Sequence, residues 1–165
     1  MSIPIIGFAA YSGIGKTTLI TSILRQLKSE GFRVCVIKHD AHQFEIDYEG
    51  KDSWRFAQAG ADMTILSSPS KTAVIEQRER SFSQLVSMVH DVDLIIVEGY
   101  KQENIPRIGI CRKATEKGLP HPAENYIALV TDDDSIRYSG LPVFSLEDIP
   151  GITEFIRRAA GLCLT

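Results

Sequence analysis

The chain has 165 residues, of which 44% are hydrophobic and 24% charged, and carries a formal net charge of −3 at pH 7. This is enough chain for one domain with a proper core and short for two, and the composition is that of a globular rather than a disordered protein. The mild negative charge gives no general attraction to nucleic acid or to an anionic membrane, so neither is an expected partner and any anion site must be built locally.

Cys35, Cys111 and Cys163 are far apart and match no metal or redox spacing. Cys35 and Cys111 sit in apolar runs and read as buried structural thiols. An odd count without a Cys-x-x-Cys pair suits a reducing compartment. The N-terminus, Met1-Ser2-Ile3-Pro4, has no basic segment, and the apolar run from Ile3 to Ala10 is too short to span a bilayer. The expected location is therefore the cytoplasm.

Ile3 to Ala10 reads as a strand buried on both faces of a parallel sheet. A glycine-bearing loop follows, then Leu19, Ile20, Ile23, Leu24 and Leu27 at helical spacing. Phe32 to Ile37 is a second apolar strand ending in Lys38-His39-Asp40. Ala41 to Lys51 has no periodicity, is rich in His, Asp and Glu, and reads as a functional loop. Asp52 is expected to cap a short helix running towards Gly60. Met63 to Leu66 and Thr72 to Ile75 predict a β-hairpin, and Phe82, Leu85, Val86 and Val89 an amphipathic helix. Asp93 to Gly99 contains another strongly buried strand. Further strands are expected at Arg107 to Cys111, Tyr126 to Val130 and Val143-Phe144, with a loop over Lys113 to Asn125. A capping box at Ser145-Leu146-Glu147-Asp148 is expected to open the last helix. Strand and helix alternate through most of the chain, so the expected class is α/β. The expected architecture is a single domain over residues 1–165, with a mostly parallel sheet, helices on both faces and one hairpin.

Ala10-Tyr11-Ser12-Gly13-Ile14-Gly15-Lys16-Thr17 fits the Walker A phosphate loop G-x-x-x-x-G-K-[ST] except at its first position. Backbone N–H groups must curl around a phosphate there, which needs glycine where φ is positive or a side chain would clash. Lys16 is expected to reach the β- and γ-phosphates and the Thr17 hydroxyl to meet Mg²⁺. The helix that starts here points its positive end at the same phosphates.

A second strand ending in a carboxylate usually completes such a magnesium site. Asp93 and Glu98 are five residues apart, roughly 16 Å along a strand, so both cannot reach one ion. Ligands of open parallel sheets collect at the carboxyl ends of strands. Glu98 is therefore the candidate and Asp93 reads as a solvated strand-start residue. Gly99 would let the nucleotide approach the backbone.

Lys38, His39 and Asp40 end another strand beside the same site. Lys38 is a candidate for phosphate, and Asp40 for holding water on the metal. His39 and His42 are open between a phosphate or metal role and ordinary loop residues, and Asp47, Lys51 and Asp52 are weaker candidates. Lys101 either faces a polyanion or is an ordinary exposed lysine. No Asn-Lys-x-Asp guanine motif is present. Asp132, in Thr131-Asp132-Asp133-Asp134 after a late strand, is either a base-reading carboxylate or part of an acidic surface turn.

Five motifs taken together resemble one family: Gly13-Ile14-Gly15-Lys16-Thr17-Thr18-Leu19, Ile37-Lys38-His39, Gly50-Lys51-Asp52-Ser53, Ala59-Gly60-Ala61 and Val97-Glu98-Gly99-Tyr100-Lys101. In this order they resemble the molybdopterin-guanine dinucleotide biosynthesis protein B family (MobB), over about two-thirds of the chain. The resemblance implies a GTP- and Mg²⁺-binding protein of slow intrinsic GTPase activity, usually a homodimer. It also implies a protein that assists the guanylyltransferase joining GMP to molybdopterin in molybdenum-cofactor biosynthesis. The expected nucleotide-binding set is Ser12, Gly13, Ile14, Gly15, Lys16, Thr17 and Thr18, with Lys38 and Asp132. The expected metal set is Thr17, Glu98 and Asp40.

The expected function is that of an adaptor that positions nucleotide for a partner enzyme, with weak hydrolysis as a by-product. The alternative is a small-molecule kinase using ATP or GTP, with Lys38 and Asp40 orienting an acceptor. A third reading is a switch in which Ala41 to Lys51 orders around the γ-phosphate.

Overall fold

The computed structural model describes residues 2–40, 44–115, 119–137 and 140–164, so His42 lies outside the described residues. The chain forms two compact units, one comprising Met1–His39 with Met88–Thr165 and the other Asp40–Ser87.

The first unit is built on a six-stranded, wholly parallel sheet. In chain order its elements are β1 (Ile5–Ala9), α1 (Lys16–Ser29) and β2 (Val34–Lys38). The second unit then supplies α2 (Asp52–Gln58), β3 (Met63–Ser68), β4 (Lys71–Glu76) and α3 (Phe82–Ser87). The chain returns to the first unit as β5 (Leu94–Glu98), β6 (Arg107–Cys111), β7 (Tyr126–Thr131), β8 (Val143–Ser145) and α4 (Ile149–Ala160). The strand order is β2-β5-β1-β6-β7-β8, which leaves β1 central and brings the carboxyl ends of all six strands to one edge.

Alternation within the buried strands divides the core. Ile6, Phe8, Leu94, Ile96, Ile108 and Ile110 face α1 and α4, and join Leu19, Ile20, Ile23, Leu27, Ile152 and Ile156 in one cluster. A smaller cluster of Ala9, Tyr126 and Leu129 is covered by Leu119, Leu141 and Val143. Among the described residues of this unit, both α-helices share the first core. Cys111 is buried as expected, whereas Cys35, on the edge strand β2, is only half-buried.

Three local expectations need correction. The cap of α4 is Asp148, whose Oδ1 accepts the Gly151 N–H at 3.0 Å. Ser145 instead ends β8, and its hydroxyl accepts the Glu147 N–H at 3.3 Å. The boundary moved because Ser145 is committed to the ladder with Thr131. Asp52 is the first residue of α2 rather than its cap; Lys51 takes that place without a side-chain bond. Asp93 is not merely solvated. It accepts the Arg33 N–H at 2.7 Å and pairs with the Arg33 guanidinium at 3.5 Å, stapling the starts of β2 and β5. The Arg33 amide, reinforced by its guanidinium, holds the Asp93 carboxyl below the usual carboxylate range.

The second unit carries the hairpin. β3 and β4 pair antiparallel from Met63↔Glu76 to Ser68↔Lys71 around Pro69-Ser70. Arg80 grips Glu76 with two donors and Arg78 adds a third, so the Glu76 carboxyl titrates at about 2. The apolar side chains of Phe56, Met63, Ile65, Leu66 and Val74 are exposed.

Replacing the cap separates the two readings of this helix start. Asp148→Ala should lower unfolding stability by about 1 kcal/mol in denaturant titrations, and Ser145→Ala should stay within about 0.5 kcal/mol of the parent.

Candidate functional site

The phosphate loop runs from the end of β1 into α1 with the geometry that anion binding requires. Gly13 and Gly15 have φ of 81° and 89°, a region L side chains rarely adopt. α1 begins at Lys16 with no side-chain cap and no acidic residue in its first turn, so its positive end is offered to a ligand. Ile14 is the loop's anchor. Its side chain is buried in the main core, while Ser12, Gly13, Thr17 and Thr18 are exposed.

Sheet register brings the second half of the site to this loop. Glu98 ends β5 and lies level with Phe8 on one neighbour and Lys38 on the other. The Lys16 ammonium sits 3.3 Å from Glu98 Oε1, with side chains only 18% and 13% exposed. His39 donates its backbone N–H to the Glu98 carbonyl at 2.8 Å. Its ring lies 4.7 Å from that of Tyr100. Lys38 is exposed at the end of β2. Asp40 opens the second unit, which also contains Asp47, Lys51 and Asp52. Among the described residues, no group of three or more His, Cys, Asp or Glu is gathered as a metal cage. One carboxylate, one hydroxyl, waters and substrate phosphates are what Mg²⁺ commonly takes, so Glu98 and Thr17 fit it as a nucleotide-borne ion.

Asp132 is joined to the loop through a residue not expected from the sequence. Arg112, just beyond β6, donates Nε–H to the Ile14 carbonyl at 2.9 Å, and its Nη1 is 3.7 Å from Asp132 Oδ2. Asp132 Oδ1 accepts the Lys113 N–H at 2.8 Å. A Cβ on Gly15 would come within 3.0 Å of the Arg112 guanidinium, so this arginine lies against the loop. A cleft of about 460 Å³ opens here, bordered by Gly15, Thr18, Arg112, Asp132, Asp134 and Glu147.

A second unexpected residue sets the turn after Glu98. Arg107 is 1% exposed, and its guanidinium donates to the carbonyls of Gly99 (3.3 Å), Tyr100 (2.6 Å) and Glu103 (2.6 Å). The turn is a demanding one, with φ of 95° at Gly99 and 47° at Tyr100. A side chain on Gly99 would also collide with His39. Arg107 reaches it by lying over Gly7, where a Cβ would meet its Cγ at 3.2 Å. Burial pushes the Arg107 pKa down, although its charge is still supported by nearby Tyr126 and Glu103. The sequence does carry a signal, since Arg107 is a cation heading the apolar run Ile108-Gly109-Ile110-Cys111.

Residues 5–132 match the family model described as "Molybdopterin guanine dinucleotide synthesis protein B". The chain belongs to this family. One relative is a "Molybdopterin-guanine dinucleotide biosynthesis adapter protein" of Haemophilus influenzae, 39% identical over 134 residues, or 79% of this chain and 75% of that one. A protein of the same name from Escherichia coli is 32% identical over 165 residues, covering 93% and 91%. Among solved structures, Bacillus subtilis MobB superposes with a TM-score of 0.81 at 26% identity, covering 96% of this chain and 98% of that one. Two of the motifs that carry the resemblance, the phosphate loop and the Glu-Gly-aromatic-Lys turn, are thus joined by the Lys16–Glu98 pair, and the Lys38-His39 motif ends the strand beside Glu98.

Removing the Arg107 guanidinium strands three carbonyls that the turn directs inward. Arg107→Leu should cost about 2 kcal/mol or more of stability by chemical denaturation, the scale of unsatisfied buried polar groups.

Proposed function

We propose that this chain is a GTP-binding adapter, with Mg²⁺ and weak GTPase activity, that assists attachment of GMP to molybdopterin in molybdenum-cofactor biosynthesis. The observation that carries the reading is the Lys16–Glu98 pair beside a phosphate loop, in a chain of this family. Each of these charges neutralises the other, and neither can be left alone in so enclosed a place without cost. A triphosphate can replace Glu98 as the partner of Lys16, while a divalent cation takes up the released carboxylate. Triphosphate and metal are then expected to bind together. Mg²⁺ held by Thr17 and Glu98 would supply neutralisation of phosphate charge.

The loop amides of Ser12 to Thr18 would cradle the phosphates and Lys38 would add positive charge at the edge. The cleft beside Arg112 suits the nucleoside, with Asp132 as the acceptor for the guanine N–H groups. Asp40 is proposed as an outer, water-mediated ligand of the metal. The partner would be the guanylyltransferase, and the compartment the cytoplasm. Among the described residues, no helix is long and apolar enough to cross a membrane.

The adapter is also proposed to act as a homodimer. Ile65 and Val74 are opposite one another in the hairpin register and are 61% and 47% exposed, and clustered exposed apolar side chains mark association sites. Sedimentation velocity should show a dimer, and Ile65→Asp should shift it towards monomer. A monomeric parent protein would remove this element of the proposal.

Calorimetric titration with GTP and ATP, each with and without Mg²⁺, tests the main reading. The expected outcome is metal-dependent binding that favours GTP. Lys16→Ala should lose roughly 10- to 100-fold in affinity, the worth of a charged hydrogen bond. Glu98→Gln should raise the Mg²⁺ needed for half-maximal binding, while Asp93→Asn should not. Preference for ATP would instead favour a small-molecule kinase.

A further inference from the structure

Besides the nucleoside cleft, a second and far smaller cavity adjoins the phosphate loop. Its volume is about 20 Å³, and its walls include Ala9, Ala10, Lys16, Gly99, Lys101 and His121. A space of this size accepts one water molecule and excludes a phosphate or metabolite. His121 is held firmly beside it. Its backbone N–H donates to the Tyr126 hydroxyl at 3.1 Å, and its ring lies edge-on to that of Tyr126 at 6.2 Å. The imidazole Nε2 is nevertheless buried with no hydrogen-bond partner among the described protein atoms. Such a group is costly unless something at the site uses it.

We propose that His121 holds and deprotonates the water that hydrolyses the bound nucleotide. The inference rests on the nucleotide-binding reading given above. It supplies what the phosphate loop and Glu98 leave unfilled, a group able to take a proton. The cavity shares Lys16, the residue expected on the β- and γ-phosphates, and Gly99, which follows Glu98 in the chain. A water seated there lies at the terminal-phosphate side of the loop. In the step, the water oxygen bonds to the terminal phosphorus. The bond from that phosphorus to the bridging oxygen breaks, and its electron pair leaves on the nucleoside diphosphate. The water proton passes to His121 Nε2 and later returns to solvent, leaving inorganic phosphate.

The base must be neutral to act. The charged and titratable groups around it are Lys16 and Lys101 on the cavity wall, Arg107 from β6 and Tyr126 from β7. Burial first, then Arg107 and Lys101, hold the imidazole below its ordinary pKa, so it is unprotonated near pH 7. The same surroundings make it a weak base, which suits slow turnover.

The test compares the parent protein with His121→Asn and His121→Gln in three measurements: affinity for a non-hydrolysable GTP analogue, single-turnover GTP hydrolysis across pH 5 to 8, and the imidazole nitrogen shifts of His121 by NMR. The expected result is analogue affinity within about twofold and hydrolysis slowed about 100-fold, the lower end of what a positioned base contributes. The parent rate should fall on the acid side of a pKa below about 6.5, the variants should lack that limb, and the His121 shifts should move when the analogue binds. Unchanged hydrolysis in both variants, or His121 shifts indifferent to the analogue, overturns the proposal while leaving nucleotide binding intact. Failure of the parent to bind the analogue overturns both.

Discussion

The organising constraint is the double burial of β1 and β5. Ile6, Phe8, Leu94, Ile95, Ile96 and Val97 are almost completely enclosed, and strands covered on both faces have no place for charge along their length. Charge first becomes affordable at their carboxyl ends. There parallel register sets Glu98 one residue short of the phosphate loop's approach, with Lys38 on the far side. The Lys16–Glu98 pair follows from this layout more than from any property of the two residues themselves. The same edge receives β6, β7 and β8, so Arg112, Asp132 and Glu147 arrive beside the loop from neighbouring strands.

What was legible in the sequence is what depends on local pattern. The apolar runs placed every strand of the main sheet, with ends off by a residue or two, and Leu19, Ile20, Ile23 and Leu27 proved to be the buried stripe of α1. The hairpin was legible because two short strand-like runs flank Ser68-Pro69-Ser70. The choice of Glu98 over Asp93 followed from strand length and direction alone, and the two carboxylates do end up at opposite ends of β5, one beside Lys16 and the other stapled to Arg33.

What was not legible depends on side chains that travel. Arg107 starts its strand at one end of the sheet and acts at the turn after Glu98, crossing over Gly7 on the way. Nothing in the spacing of residues 99, 100, 103 and 107 announces that three carbonyls converge on one guanidinium. Arg112 contacts Ile14 across 98 residues of chain. His121 lies in a stretch readable only as a loop, and its relation to Lys16 appears only when strands from both halves of the chain are assembled. The misplaced start of α4 has the same origin, because Ser145 satisfied a local capping pattern while its backbone was already paired with Thr131.

Ile14 bears on how fast and how selectively a ligand can be captured. Its side chain is sunk in the main core and its carbonyl is held by Arg112, so the middle of the cradle is restrained from both sides. The conformational entropy of shaping the loop is therefore lost during folding and not during capture. For the proposed nucleotide, association should then resemble docking into a rigid mould. A substitution at Ile14, which offers no polar side-chain atom to a ligand, would show itself as a faster off-rate through a loosened cradle.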